Sequence, residues 1–99
     1  MEEVLYYTML YDTYGELLTD KQQNYFQEYY FNNLSLAEIA ENNQVSRNAV
    51  HKQIKEALHK LDHYEQVLQL VEKNRQLEQL VTLIEDKKLQ DKFKSIIEQ

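Results

Sequence analysis

An all-α fold is predicted by three features of this 99-residue chain: no proline, a single glycine at Gly15, and apolar residues recurring at three- and four-residue spacing. Tight hairpins are hard to build without Gly and Pro, whereas Leu, Glu, Lys and Gln are strong helix formers. With 42% hydrophobic and 28% charged residues the chain has the material for a core and lacks the charge excess of a disordered segment. Chains of roughly 100 to 200 residues usually hold one domain, so a single compact domain is expected. Within it, residues 1–61 are expected to form a helix-turn-helix module. Residues 62–99 should form a helical extension, either packed on that module or dimerising.

Each element has its own signal. Over residues 2–14, Leu5, Tyr6, Met9, Leu10 and Thr13 mark an amphipathic helix, and Gly15 suits its C-terminal cap. Thr19 with Gln22 forms a capping box that opens a second helix. Its aromatic stripe, Tyr25, Phe26, Tyr29 and Tyr30, reads as core, and Asn32-Asn33 should end it. Ser35 with Glu38 is a second box, starting a short helix that buries Leu36, Ile39 and Ala40 and stops at Asn42-Asn43-Gln44.

After Val45, Ser46 can cap a further helix with Val50, Ile54, Ala57, Leu58 and Leu61 on its packing face. Asp62 with Glu65 resembles a third box, which either starts a new helix or sits within a continuous one; of the two, a break or bend is expected there. From Tyr64 to Glu85 the apolar residues, Val67, Leu68, Leu70, Val71, Leu77, Leu80, Val81, Leu83 and Ile84, are numerous enough for two buried faces, one of which a partner helix or second subunit would cover. Asp86-Lys87-Lys88 then leads into a terminal helix with Leu89, Phe93, Ile96 and Ile97.

Composition also excludes functions. The absence of cysteine rules out disulfides, thiol catalysis and thiolate metal sites. No apolar run reaches the roughly 18 residues needed to cross a bilayer, and the first residues lack the pattern of a secretory leader, so a cytoplasmic protein is expected. His59 and His63 lie four apart on one helix but lack a third ligand, and no metal or other cofactor is expected. Neither a nucleophile with its base nor a phosphate-cradling glycine loop is present, so an enzyme is not expected.

The net charge of −6 opposes general affinity for nucleic acid, but the charge is unevenly placed. Residues 1–43 hold eight acids and one lysine, whereas residues 44–63 hold Arg47, Lys52, Lys55 and Lys60 against Glu56 and Asp62. The basic excess coincides with the helix after Ser46. Two helices joined by a three- or four-residue turn need a small residue at their crossing, here Ala40, and Val45, Val50 and Ile54 to lock the angle. The second helix can then enter the ~12 Å major groove of DNA. Ser46 and the first free amides suit a phosphate, Arg47 a phosphate or guanine edge, and Asn48 an adenine, with His51, Lys52 and Lys55 continuing the face.

The run from Ser35 to Val50 resembles the helix-turn-helix of the last DNA-binding region of bacterial sigma factors, Ser-Leu-x-Glu-Ile-Ala, a turn, and Val-Ser-Arg. Two positions depart from that pattern: Gln44 stands where glycine is usual, and Asn43 where an apolar residue is usual; Gln at a position needing positive φ costs energy, so an altered turn geometry is expected. The likeness extends over roughly residues 5–85. Leu10-Tyr11-Asp12, Tyr14-Gly15, Leu17-Leu18-Thr19, Lys21-Gln22, Tyr29-Tyr30 and Ser46-Arg47 with Ala49-Val50 resemble the YlxM family, small bacterial proteins with a sigma-region-4-like fold. That resemblance implies a DNA-binding regulatory protein. It also implies a link to the signal recognition particle pathway of protein export, inferred from gene neighbourhood with the particle's GTPase. Candidate partners are therefore DNA, the particle's RNA or GTPase, and a second copy of the chain. An adaptor reusing the helix-turn-helix to contact that RNA or GTPase is the alternative to a DNA-binding regulator.

Overall fold

A computed structural model describes residues 3–98, which are helical nearly throughout and contain no strand. The helices are α1 (Val4–Tyr14), α2 (Asp20–Phe26), α3 (Leu36–Asn43), α4 (Arg47–Leu68), α5 (Leu70–Val81) and α6 (Lys87–Ile97). A 3₁₀ turn, Gly15–Leu17, follows α1, and α2 runs on into a π-helical turn, Gln27–Phe31. The chain divides into two compact units between Leu68 and Gln69.

The first unit is built on α4, against which α1, α2 and α3 each pack. Leu10, Tyr14, Phe26, Ile39, Val50, Ile54 and Leu61 are essentially inaccessible and form its core. Tyr25 and Tyr30 join them, so most of the aromatic stripe is core as its spacing predicts, with Tyr29 half-buried. Tyr11 stacks on Phe26 at 4.3 Å with the rings nearly parallel, and Phe26 stacks on Tyr30 at 4.4 Å.

The buried face of α1 differs from the predicted one. Leu5 is 75% exposed, and Tyr6 and Met9 also face solvent, while Tyr7, Leu10, Tyr11 and Tyr14 turn inward. Aromatic rings bury more surface than the aliphatic alternatives, and a tyrosine can bury its ring while its hydroxyl finds an acceptor. Here the acceptors lie on α4: Tyr7 donates to Asp62 at 2.9 Å and Tyr14 to Glu65 at 2.6 Å. This pairing also explains why the expected break near Asp62 is absent. The two carboxylates serve α1 rather than a new N-terminus, and α4 continues unbroken for 22 residues to Leu68.

Gly15 is needed for space rather than for a left-handed cap. Its φ is −55°, and a Cβ there would lie 2.9 Å from the Tyr11 ring, which the Phe26 stack and a bond from Gln27 Nε2 hold in place. The capping box of α2 forms, with Gln22 N donating to Thr19 Oγ1 and Thr19 N to Gln22 Oε1. Gln22 is also buried at the junction with α4: its Nε2 donates to Gln53 Oε1 at 3.3 Å and its Oε1 accepts from Lys60 Nζ at 3.0 Å.

The second unit is a helical hairpin in which Asp86 caps α6 by accepting from Leu89 N, and Gln90 Nε2 donates to the carbonyls of Val81 and Ile84. The apolar stretch from Tyr64 to Glu85 is shared between two helices, because residues up to Leu68 belong to α4 and Gln69 takes a left-handed conformation. Nor are two faces buried within one chain. Val81 is covered, but Leu77, Leu80 and Leu83 on the α5 side and Leu89, Phe93 and Ile96 on α6 remain exposed.

Candidate nucleic-acid interface

Helix α3, which leads into the turn before α4, begins with a capping box in which Glu38 N donates to Ser35 Oγ and Ser35 N to Glu38 Oε1. It ends in a Schellman arrangement: Gln44 N donates to Glu41 O at 3.3 Å and Val45 N to Ala40 O at 3.0 Å. Gln44 takes the left-handed conformation, φ 56° and ψ 43°, so the usual geometry is kept without the usual glycine. A left-handed conformation costs an L-residue about 1 kcal/mol.

Asn43 compensates for its missing apolar contact. Its Nδ2 donates to Ile39 O at 2.8 Å and Glu28 Oε2 at 3.2 Å, while its Oδ1 accepts from Asn24 Nδ2 at 3.3 Å. A hydrogen-bonded bracket thus replaces hydrophobic contact between α3 and the helix before it. Ala40 is buried at the crossing as its small size requires, whereas Val45 is 38% exposed and contributes less to the angle than Val50 and Ile54.

Ser46 sits immediately before α4 and caps it, accepting from Ala49 N at 3.1 Å. Its oxygen is therefore engaged with the helix, and its hydroxyl proton is what it has left to offer a ligand. Arg47, Asn48, Lys52 and Lys55 are exposed and His51 is half-buried. At 3.6 residues per turn these five side chains span an arc of about 140° beside the buried stripe of Val50, Ile54 and Ala57. No hydrogen bond or ion pair among the described residues occupies Arg47, Lys52 or Lys55; the salt bridges lie at Arg75–Glu72 and Lys87–Asp91. Their charges are available to an external anion.

His51 and Lys55 also border an open depression that Glu3, Tyr7, Leu58, His59 and Asp62 complete. Burial, then the hydrogen bond to Asp62, pushes the Tyr7 hydroxyl up to about 12, so that Tyr7 stays a donor. Sequence reasoning missed this Tyr7–Asp62 contact. The one available signal was the pair of acids at Asp62 and Glu65, which equally suits a cap. Among the described residues no group of three or more metal-ligating side chains converges, His59 and His63 included. No helix among them is long and apolar enough to cross a membrane.

A short helix, a tight turn with a left-handed residue, and a second helix with a polar, positively charged first two turns define a helix-turn-helix protein of all-α architecture. The chain belongs to the UPF0122 family, whose model, described as "Putative helix-turn-helix protein, YlxM / p13 like", matches residues 1–99. It is 46% identical to a UPF0122 protein of Clostridium acetobutylicum over 98 positions, covering 93% of this chain and 84% of the relative. Identity is 50% over 64 residues to one from Malacoplasma penetrans, covering 65% of this chain and 60% of that protein. A Caldanaerobacter subterraneus relative is 45% identical over 75 residues, 76% of this chain and 64% of its own length. The family's description is thus that of a helix-turn-helix protein.

Proposed function

We propose that the chain is a cytoplasmic DNA-binding regulator that reads the major groove with the first turns of α4. The observation that carries this reading is the set of unpaired basic side chains Arg47, Lys52 and Lys55 on a helix whose opposite flank is locked by Val50 and Ile54. Lys52 and Lys55 serve the phosphate backbone, Ser46 and the first amides of α4 a further phosphate, and Arg47, Asn48 and His51 the base edges. The net charge of −6 keeps a single module weak, so that specific binding needs two modules held together.

The hairpin of α5 and α6 supplies the pairing. A unit of under roughly 40 residues cannot build a core alone, and its exposed Leu77, Leu80, Leu83, Leu89, Phe93 and Ile96 suit a second copy. The test is an anisotropy titration of the protein against genomic DNA fragments at low and moderate salt. Saturable binding, weakened by salt and lost in Arg47→Ala/Lys52→Ala/Lys55→Ala with an unchanged circular dichroism spectrum, is expected. Equal affinity in the triple variant contradicts the reading.

A second reading is an adaptor of the signal recognition particle that meets the particle's GTPase, a protein partner that the net acidity favours, or a structured part of its RNA. Duplex RNA has a major groove too narrow for α4, so the RNA contact would be to loops or backbone. Recovery of neither component in a pull-down with the full chain rules this reading out.

A further inference from the structure

The π-helical turn Gln27–Phe31 combines two unfavourable features on the same residues. π turns are rare and are found disproportionately at functional sites; here Asn32 N closes the wide turn on Gln27 O at 3.0 Å. Within it Tyr30 is only 6% exposed, and its hydroxyl, with less than 1 Å² accessible, has no hydrogen-bond partner among the described residues. Folded chains rarely leave a buried hydroxyl so.

Beside this turn lies an open basin of about 360 Å³, lined by Val4 at the start of α1, Tyr29, Tyr30, Asn33, and the α3 box residues Ser35 and Glu38. Among the described lining residues Glu38 is the one that carries a charge. Its Oε1 accepts from Ser35 N, which leaves the other oxygen for a ligand. The Ser35 backbone and hydroxyl hold this carboxyl below its usual range, so it stays anionic. Tyr29 flanks Tyr30 edge-on at 5.1 Å and is half-buried, and both rings line the basin.

We propose that this basin binds an organic cation, an ammonium or guanidinium group, which donates to the Glu38 carboxylate and, as the Tyr29 ring turns aside, to the Tyr30 hydroxyl oxygen. An anion is repelled by Glu38, and a purely apolar ligand leaves both oxygens unpaired. Rings facing a cation add to the attraction, and the volume lies at the small end of ligand sites. The cation is either a free amine or the side chain of a partner's Lys or Arg. This site stands apart from Arg47, Lys52 and Lys55 and does not depend on nucleic-acid binding.

The test titrates the full chain, followed by amide chemical shifts, with agmatine and separately with an acetylated, amidated arginine. Saturable shifts centred on Tyr29, Tyr30, Ser35 and Glu38 with either probe support the site. Response to agmatine alone identifies a free amine as the ligand, and response to the arginine amide identifies a side chain. Glu38→Gln keeps the acceptor for Ser35 N but removes the charge, and is expected to weaken binding about tenfold. Tyr30→Phe is expected to weaken it without lowering the melting temperature, since it removes the orphan hydroxyl. Non-saturating shifts spread over the acidic surface, or unchanged affinity in Glu38→Gln, overturn the proposal.

Discussion

Substitutions at Gln22 separate what hydrogen bonding and what packing contribute to the seat of α4. Its amide oxygen accepts from Thr19 N at 3.2 Å and Lys60 Nζ at 3.0 Å, and its amide nitrogen donates to Gln53 at 3.3 Å. Gln22→Met keeps most of the volume and removes all three bonds. At about 1 kcal/mol net per bond, discounted because Thr19, Gln53 and Lys60 can turn to water, the loss is about 2 kcal/mol. Gln22→Ala also empties a site that is 3% exposed, bringing the loss to about 3 to 4 kcal/mol. Gln22→Glu retains both acceptor roles and forfeits only the donor to Gln53, so it should cost about 1 kcal/mol or less.

The assay is thermal and urea unfolding of the full chain followed by circular dichroism. For a unit of this size 1 kcal/mol moves the midpoint by about 4 to 8 °C, so the methionine variant should melt about 8 to 16 °C below the parent. The order expected is Glu, Met, Ala, from mildest to most severe, with unchanged urea slopes. A methionine variant melting with the parent refutes the junction as a hydrogen-bonded one and leaves Gln22 a space-filler.

Gln44→Gly relieves the left-handed backbone at φ 56° and should stabilise the chain by about 0.5 to 1 kcal/mol, read as a higher urea midpoint. Gly15→Ala should destabilise despite alanine's better helix propensity, by about 1 to 2 kcal/mol, because its Cβ meets a Tyr11 ring that has nowhere to go; an unchanged or higher midpoint would show that the ring yields. Tyr7 and Tyr30 ionise near 12 in the fold rather than at 10.0, both through burial first, so their contribution is complete below about pH 10 and is lost as pH rises through about 12. Alkaline unfolding monitored by circular dichroism should therefore begin above about pH 10, and Tyr7→Phe/Tyr30→Phe should flatten it. Ser35→Ala removes the cap that Glu38 N uses and should cost about 1 kcal/mol at the start of α3, measured in the same unfolding experiments.

The capping boxes at Thr19 and Ser35, the short helix that buries Leu36, Ile39 and Ala40, and the packing face of α4 were legible because each is a local pattern. At Gln44 the sequence points to an altered turn because glycine is missing, whereas the fold keeps the usual left-handed corner, held by the bonds from Gln44 N and Val45 N. What could not be read depends on pairing across the chain. Leu5 and Met9 look as apolar as Leu10, and only the distant acceptors Asp62 and Glu65 make Tyr7 and Tyr14 the inward choice. The same two acids mimic a helix start when read alone. The π turn leaves no spacing signal, because Tyr29, Tyr30 and Phe31 suit an ordinary helix equally well. At the candidate interface, the positions of Arg47, Asn48, His51, Lys52 and Lys55 follow from helical periodicity after Ser46, whereas their freedom from internal partners is visible only in the fold.

The claim that α4 meets a nucleic-acid backbone is tested most directly by the salt dependence of DNA affinity, compared between the parent and Lys52→Ala/Lys55→Ala. Each phosphate contact contributes about 0.9 to the slope of log affinity against log salt. The account predicts that the double variant binds more weakly with a slope shallower by about 1.8 per bound chain. Identical slopes and affinities, or no saturable binding by the parent at low salt, would contradict it.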